Sequence, residues 1–384
     1  MYIDFSQRVN EVQRHFNNGD VHLASRRLID CALDTQSPAI FVSCLQFCDY
    51  YDENKESNPG SLVEKANEVL QKIMELQIPV PALSAQVIEV DTLRKAYANG
   101  KFRLGDISFS IKRGEIVGLV GENGNGKTSL LRLLAKELKP DHGTINYGFV
   151  NENIHPYELR TKLVYIPQRI PRWYGSLMNN LQFTLSSYGI KGEENRLWSE
   201  MMVARLGLRP YKHLDWNRIS SGYKTRFEIA KNLLRKPHIL LLDEPLANLD
   251  ILAQQTILQD IKHLSQSLTN PFATVLSSQQ LFEVEKVSDK VIFLKNGAPK
   301  YQDSHAREIE EVVFEMETNA SKEELLFLFK SLNISKIVNN GGVLIFHFPA
   351  GVSSQAIYRE IAGSHFEFNY IRNISRSSRR YFVE

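Results

Sequence analysis

The sequence predicts a central α/β fold, preceded by an all-helical segment and followed by a small ferredoxin-like α+β unit. Three observations carry that expectation. Apolar residues recur at helical spacing through residues 1 to about 80. From Val87 onward, short β-prone runs alternate with helical stretches, the pattern of a parallel core sheet. From about Ile309 the order becomes strand, helix, strand, strand, helix, strand, a split β-α-β arrangement. The expected units are 1–84, 85–310 and 311–384.

Each element has its own signal. Phe5, Val9, Val12 and Phe16 share one helical face, and Leu62, Ala66, Val69, Leu70 and Ile73 share another. A polar stretch at 52–60, with an Asn-Pro-Gly turn, separates the helical pieces. Ile78-Pro79-Val80-Pro81 then ends them and leads out as a linker. Strands are expected at 87–90, 107–111 and 116–120, helices at 177–188 and 197–206, and further strands at 239–242, 274–277 and 291–294. In the last unit, strands at 312–316, 334–338, 343–348 and 366–371 enclose helices at 322–332 and 353–361.

With 384 residues the chain is long enough for two or three cores. It is 43% hydrophobic and 23% charged, with a net charge of +2, which gives no basis for a nucleic-acid partner. No apolar run approaches the ~18 residues of a membrane span. The opening Met-Tyr-Ile-Asp-Phe-Ser-Gln-Arg lacks the basic then apolar layout of a leader, so a cytoplasmic location is expected. Cys31, Cys44 and Cys48 have no companions at metal-ligand spacing and are expected to be buried thiols.

Chemistry enters at Gly121-Glu122-Asn123-Gly124-Asn125-Gly126-Lys127-Thr128. An apolar strand precedes this run and a helical segment beginning at Ser129 succeeds it. In that setting Gly121, Gly124 and Gly126 let successive N–H groups converge on a phosphate. The helix N-terminus adds its positive dipole end. Lys127 would neutralise the β- and γ-phosphates and Thr128 would sit on Mg²⁺, with Asn123, Asn125 and Ser129 completing the nucleotide site. Downstream, Ile239-Leu240-Leu241-Leu242-Asp243-Glu244-Pro245 is a buried strand ending in two acids. Asp243 is expected to hold Mg²⁺ and Glu244 to polarise the attacking water.

Between them lies Ile219-Ser220-Ser221-Gly222-Tyr223-Lys224-Thr225-Arg226, ahead of a helical run. Here the chain resembles the ABC-type ATPases, whose Leu-Ser-Gly-Gly-Gln signature occupies this place. The resemblance covers about Val87 to Ile309 and implies a P-loop NTPase cassette that binds ATP and Mg²⁺ between two head-to-tail cassettes, as a homodimer or heterodimer. It implies that Ser220 and Gly222 reach the γ-phosphate held by the opposite subunit and that Tyr97 stacks on adenine. It further implies that Gln168, in Tyr165-Ile166-Pro167-Gln168, senses Mg²⁺ and leads into a helical subdomain. Leu246-Ala247-Asn248-Leu249-Asp250 matches the loop that crosses the dimer interface.

Two positions depart from the family pattern. Gln279 stands where the family places its switch histidine, and a neutral amide can donate a hydrogen bond but carries no charge. The signature has Ser221 for its first Gly and Tyr223 for its Gln. Because Glu244 is retained, slow but real hydrolysis is expected, with Glu244, Gln279 and Lys127 as the catalytic set. A single cassette without membrane spans resembles the ATPase subunit of a transporter whose integral membrane permease subunits are separate chains, placing it on the cytoplasmic face of the membrane. The C-terminal unit, ending in an Arg/Ser-rich segment with Tyr381-Phe382, resembles the ABC-2-type exporter branch, so export is the expected direction. Arg372, Arg376, Arg379 and Arg380 read as a solvated basic end, with lipid headgroups as the alternative contact. The rival reading is a soluble ABC ATPase that acts as a regulatory or assembly switch.

Overall fold

The computed structural model describes residues 2–55, 59–80, 86–97, 102–150, 156–301, 311–340 and 342–375. Arg376, Arg379, Arg380, Tyr381 and Phe382 of the tail lie outside these residues, as does Pro81 of the linker.

Four helices open the chain: Ser6–Asn17, Val21–Thr35, Pro38–Asn54 and Pro59–Met74. Local chemistry sets their ends. Asp20 accepts from the Leu23 N–H and so caps the second helix, and Pro38 starts the third where a missing N–H costs nothing. Their apolar stripes do not close into a core of their own. Phe5, Leu28, Phe41 and Leu70 belong to one apolar cluster with Trp198, Met201, Phe227 and Leu276, so the opening helices share a core with the central α/β unit. Cys31, Cys44 and Cys48 are free thiols buried in that cluster, and burial pushes the Cys31 thiol well up, with Asp30 and Asp34 adding to the shift.

The central sheet has six strands, in the order Leu163–Ile166, Ile239–Leu242, Ala273–Ser278, Ile116–Val120, Lys290–Lys295 and Ala298–Tyr301. The first five are parallel and the last turns back antiparallel. Ile239–Leu242 and Ile116–Val120 are buried at every residue, as their unbroken apolar runs require of a sheet covered on both faces. A separate antiparallel sheet, Arg103–Lys112, Gln86–Ala96 and His142–Tyr147, lies beside it. The expected strands at 87–90 and 107–111 are thus parts of two long bulged strands, whose register shifts blur the alternation of the sequence.

The helices Leu177–Ser187 and Gly192–Arg205 form the helical subdomain. Trp173 and Trp216 stack at 4.9 Å at its base, and Trp173 Nε1 donates to Glu228 at 2.8 Å. The last unit is a four-stranded antiparallel sheet in the order Lys336–Asn340, Val343–Pro349, Glu311–Thr318, Phe368–Asn373. With the helices Lys322–Leu328 and Ser354–Gly363 this is the ferredoxin-like order, packed around Phe314, Phe329, Phe346 and Phe348. The expected helix at 322–332 is α-helical only to Leu328 and finishes as a 3₁₀ turn, Lys330–Leu332. No helix among the described residues is long and apolar enough to cross a membrane.

Candidate functional site

The site sits at the C-terminal ends of the parallel strands, where open α/β sheets place ligands. Ile116–Val120 runs into the loop 121–126, and the helix Lys127–Leu134 begins there. Gly126 caps that helix at φ +98°, and a Cβ on it would lie 2.7 Å from Phe102 Cζ. The loop closes only with glycine at that point. Gly121 is pinned differently, since a Cβ there would come within 2.5 Å of the Leu294 carbonyl oxygen.

Inside the cradle the Lys127 ammonium donates to the carbonyls of Gly121 (2.7 Å) and Glu122 (3.2 Å). It also pairs with the Glu244 carboxylate at 3.1 Å. Beside it, Thr128 Oγ1 donates to Asp243 at 2.8 Å. Two further hydroxyls reach the same carboxylate: Ser277 Oγ at 2.8 Å and Tyr165 OH at 3.2 Å. Burial first, and the Asp243 charge second, push the Tyr165 phenol well up, so it stays a donor. Glu244 comes directly after Asp243 in the left-handed region at φ +49°, with its N–H on Ser277 Oγ at 2.8 Å. That backbone turn aims the Glu244 side chain at Lys127 instead of continuing the strand.

Tyr97, Phe102, Asn123, Gly124, Gly126, Lys127, Thr128, Ser129, Gln168 and Glu244 line one cleft of about 440 Å³. Tyr97 is exposed at the mouth, with its hydroxyl 2.8 Å from Ser129 Oγ. Asp243 lies just behind the cleft, joined to it through Thr128.

The remaining predicted residues are placed elsewhere. Asn125 is buried and its amide oxygen accepts from the Asn296 N–H at 2.9 Å, so it ties the loop to the turn after Lys290–Lys295 and does not line the cleft. Gln279 is exposed, one residue past Ala273–Ser278. Because Ser278 pairs with Val120, Gln279 stands beside the start of the cradle without lining it. Ser220 caps the helix Ser221–Leu233, accepting from the Tyr223 N–H at 3.5 Å, and a Cβ on Gly222 would lie 3.5 Å from Ala253 Cβ. Neither lines the cleft.

Sequence reasoning missed Phe102, Tyr165 and Ser277. Along the chain Tyr165 is only a neighbour of Gln168; its hydroxyl meets Asp243 because Leu163–Ile166 pairs in parallel with Ile239–Leu242. No sequence signal marks Phe102.

Comparison with known proteins settles the family. The model of the ABC transporter family matches residues 104–247. An uncharacterised ABC transporter ATP-binding protein of Methanocaldococcus jannaschii is 34% identical over 219 residues, 56% of this chain and 85% of that relative. The chain belongs to the ABC transporter ATP-binding proteins. The ABC transporter ATP-binding protein NatA of Bacillus subtilis is 30% identical over 199 residues, which is 51% of this chain and 80% of NatA. Among solved structures, cbiO1 of Clostridium perfringens, part of the ABC transporter complex cbiONQ, superposes with a TM-score of 0.53 at 25% identity. It covers 57% of this chain and 89% of that one. The cassette is therefore an ATP-binding ATPase, and the cleft beneath Tyr97 is its candidate nucleotide site.

Proposed function

We propose that the chain is the ATP-hydrolysing subunit of an ABC transporter, working from the cytoplasmic face on separate membrane permease subunits. The observation that carries this reading is the Lys127–Glu244 pair in a glycine-bounded cleft, with Asp243 held by three hydroxyls behind it. In the proposed division, 1–84 braces the cassette of 85–310, and 311–384 is an accessory unit.

The geometry suggests a role for each group. Backbone N–H groups of 121–126 and the N-terminus of Lys127–Leu134 receive the phosphates. Incoming phosphate oxygens give Lys127 a new anionic partner and release Glu244 to accept a proton from the attacking water. Asn123, Gly124 and Ser129 line the phosphate side, and Tyr97 with Phe102 offers the base a ring at the mouth. The oxygen-only set of Thr128, Asp243 and Gln168 suits Mg²⁺, which when bound supplies charge neutralisation at the β- and γ-phosphates. Ser277 and Tyr165 hold the Asp243 carboxylate in one orientation. Gln279, beside the cradle, would donate to the γ-phosphate once a second cassette closes the site. Ser220 and Gly222, outside their own chain's cleft, are free to complete that of a partner cassette, which supports a composite site in a dimer.

The direction of transport is not carried over from the C-terminal tail. Relatives include import ATP-binding proteins for phosphonates and for spermidine/putrescine, and these lend export no support. The test is ATP-dependent dimerisation of a Glu244→Gln protein by light scattering. Adding Ser220→Ala should leave it monomeric with MgATP; a dimer that forms unchanged would overturn the composite site. Phosphate release by Glu244→Gln should fall at least ~100-fold below the parent.

A further inference from the structure

A second cleft, of about 370 Å³, lies where the opening helices meet the cassette. That volume falls within the roughly 300–1,000 Å³ of small-molecule sites. It is separate from the nucleotide cleft and shares no residue with it. Val21–Thr35 contributes His22 and Arg26, Pro38–Asn54 contributes Phe47, Tyr51 and Asp52, and the turn after Gly192–Arg205 contributes Leu206 and Arg209. The helix Ser221–Leu233, which begins at the signature, contributes Arg226.

The charges do not balance. Arg26, Lys55, Arg209 and Arg226 face the cleft with His22, against the single carboxylate of Asp52. Arg26 is committed to Asp260, and Arg209 to Asp49 and Asp52. Arg226 makes no hydrogen bond or ion pair among the described residues and only lies 5.9 Å from the Tyr223 ring. His22 is pushed below its ordinary value chiefly by burial, with Arg26 adding to it and Asp20 and Asp260 opposing it. A half-buried guanidinium with no acid partner among the described residues, beside apolar walls, attracts a ligand that is anionic at one end and apolar along its body.

We propose that this cleft binds a small organic anion, its acidic group on Arg226 and its apolar body against Phe47, Tyr51 and Leu206. Such a ligand would bridge the opening helices to the signature helix. The site stands independently of the roles proposed for the nucleotide cleft.

The probe is 8-anilinonaphthalene-1-sulfonate, titrated by fluorescence into the full chain with and without saturating MgATP. One saturable site is expected, with an affinity that MgATP does not change and that survives Lys127→Ala. Arg226→Gln should weaken it at least ~10-fold, Arg226→Lys should retain most of it, and Thr256→Trp, which fills one wall, should abolish it. Displacement by MgATP, or parental affinity in either Arg226→Gln or Thr256→Trp, would overturn the proposal. Far-UV circular dichroism of each variant confirms the fold.

Discussion

Replacing Arg205 with Met should destabilise the protein more than any single change in the nucleotide cleft. Arg205 ends the helix Gly192–Arg205 and is fully buried. Its Nε donates to Asp30 of the opening helices, and its Nη1 to Asp260 of the helix Ile251–Ser265 at 2.7 Å. One guanidinium therefore joins three elements. Burial works to lower its pKa, but Asp30 and Asp260 override it and hold the charge. Removing one partner of a buried pair costs about 3–5 kcal/mol, because the carboxylates stay buried. Here Asp30 keeps Arg27 and Asp260 keeps Arg26, so the low end, about 3 kcal/mol, is expected. Against a total stability of roughly 5–15 kcal/mol that is a large loss. Urea unfolding followed by tryptophan fluorescence and far-UV circular dichroism measures it. A double-mutant cycle with Asp30→Asn should give a coupling of about 1–3 kcal/mol. A loss below about 1 kcal/mol, or strictly additive single variants, would refute the idea that Arg205 fastens the opening helices to the cassette.

Asp34 gives a pH-dependent prediction. Burial pushes its carboxyl up to about 6, despite hydrogen bonds from Ser267 Oγ and the Leu268 N–H. Its folded pKa lies above the ordinary 3.8, so the folded state holds the proton better and stability falls as pH rises from about 4 through about 6. Asp34→Asn keeps the acceptor without the charge; thermal melts should show a gain of roughly 2–3 kcal/mol at pH 8 that disappears at pH 4, and an equal gain at both would count against this cause. Gly126→Ala meets a left-handed φ, worth about 1–2 kcal/mol, plus the contact with Phe102. Titration with a fluorescent ATP analogue should show at least ~10-fold weaker binding, and unchanged affinity would mean the loop can shift. Gln279→His should raise phosphate release by ~10-fold at pH 6, as a charged donor replaces a neutral one. Turnover at or below the parent's would remove Gln279 from the catalytic set.

Much of the site was legible because phosphate recognition is local. A strand, three glycines, a lysine, a hydroxyl and a helix start must be contiguous to aim their N–H groups at one point, so the strand, loop and helix of 116–134 were legible in order. The acids at 243 and 244 were legible for the same reason, as the end of an unbroken apolar strand. Asn125 was not: on the motif it looks like a phosphate ligand, and only the neighbouring turn shows that its amide serves Asn296. Ser277 and Tyr165 were also hidden. Their hydroxyls reach Asp243 only through the parallel register of three strands far apart in the chain.

The sequence by itself determined the element order and the family, and it marked a glycine-rich loop as the candidate phosphate site, because each rests on neighbours along the chain. Tertiary structure decided how the opening helices are used. Read along its own helix, Arg205 is an ordinary arginine near a C-terminus. It becomes a fully buried fastener only when folding brings Asp30, 175 residues away, and Asp260, 55 residues away, to the same guanidinium. The physical reason is that a buried charge is tolerable only beside its counter-charges, and those came from helices that periodicity could identify but not dock.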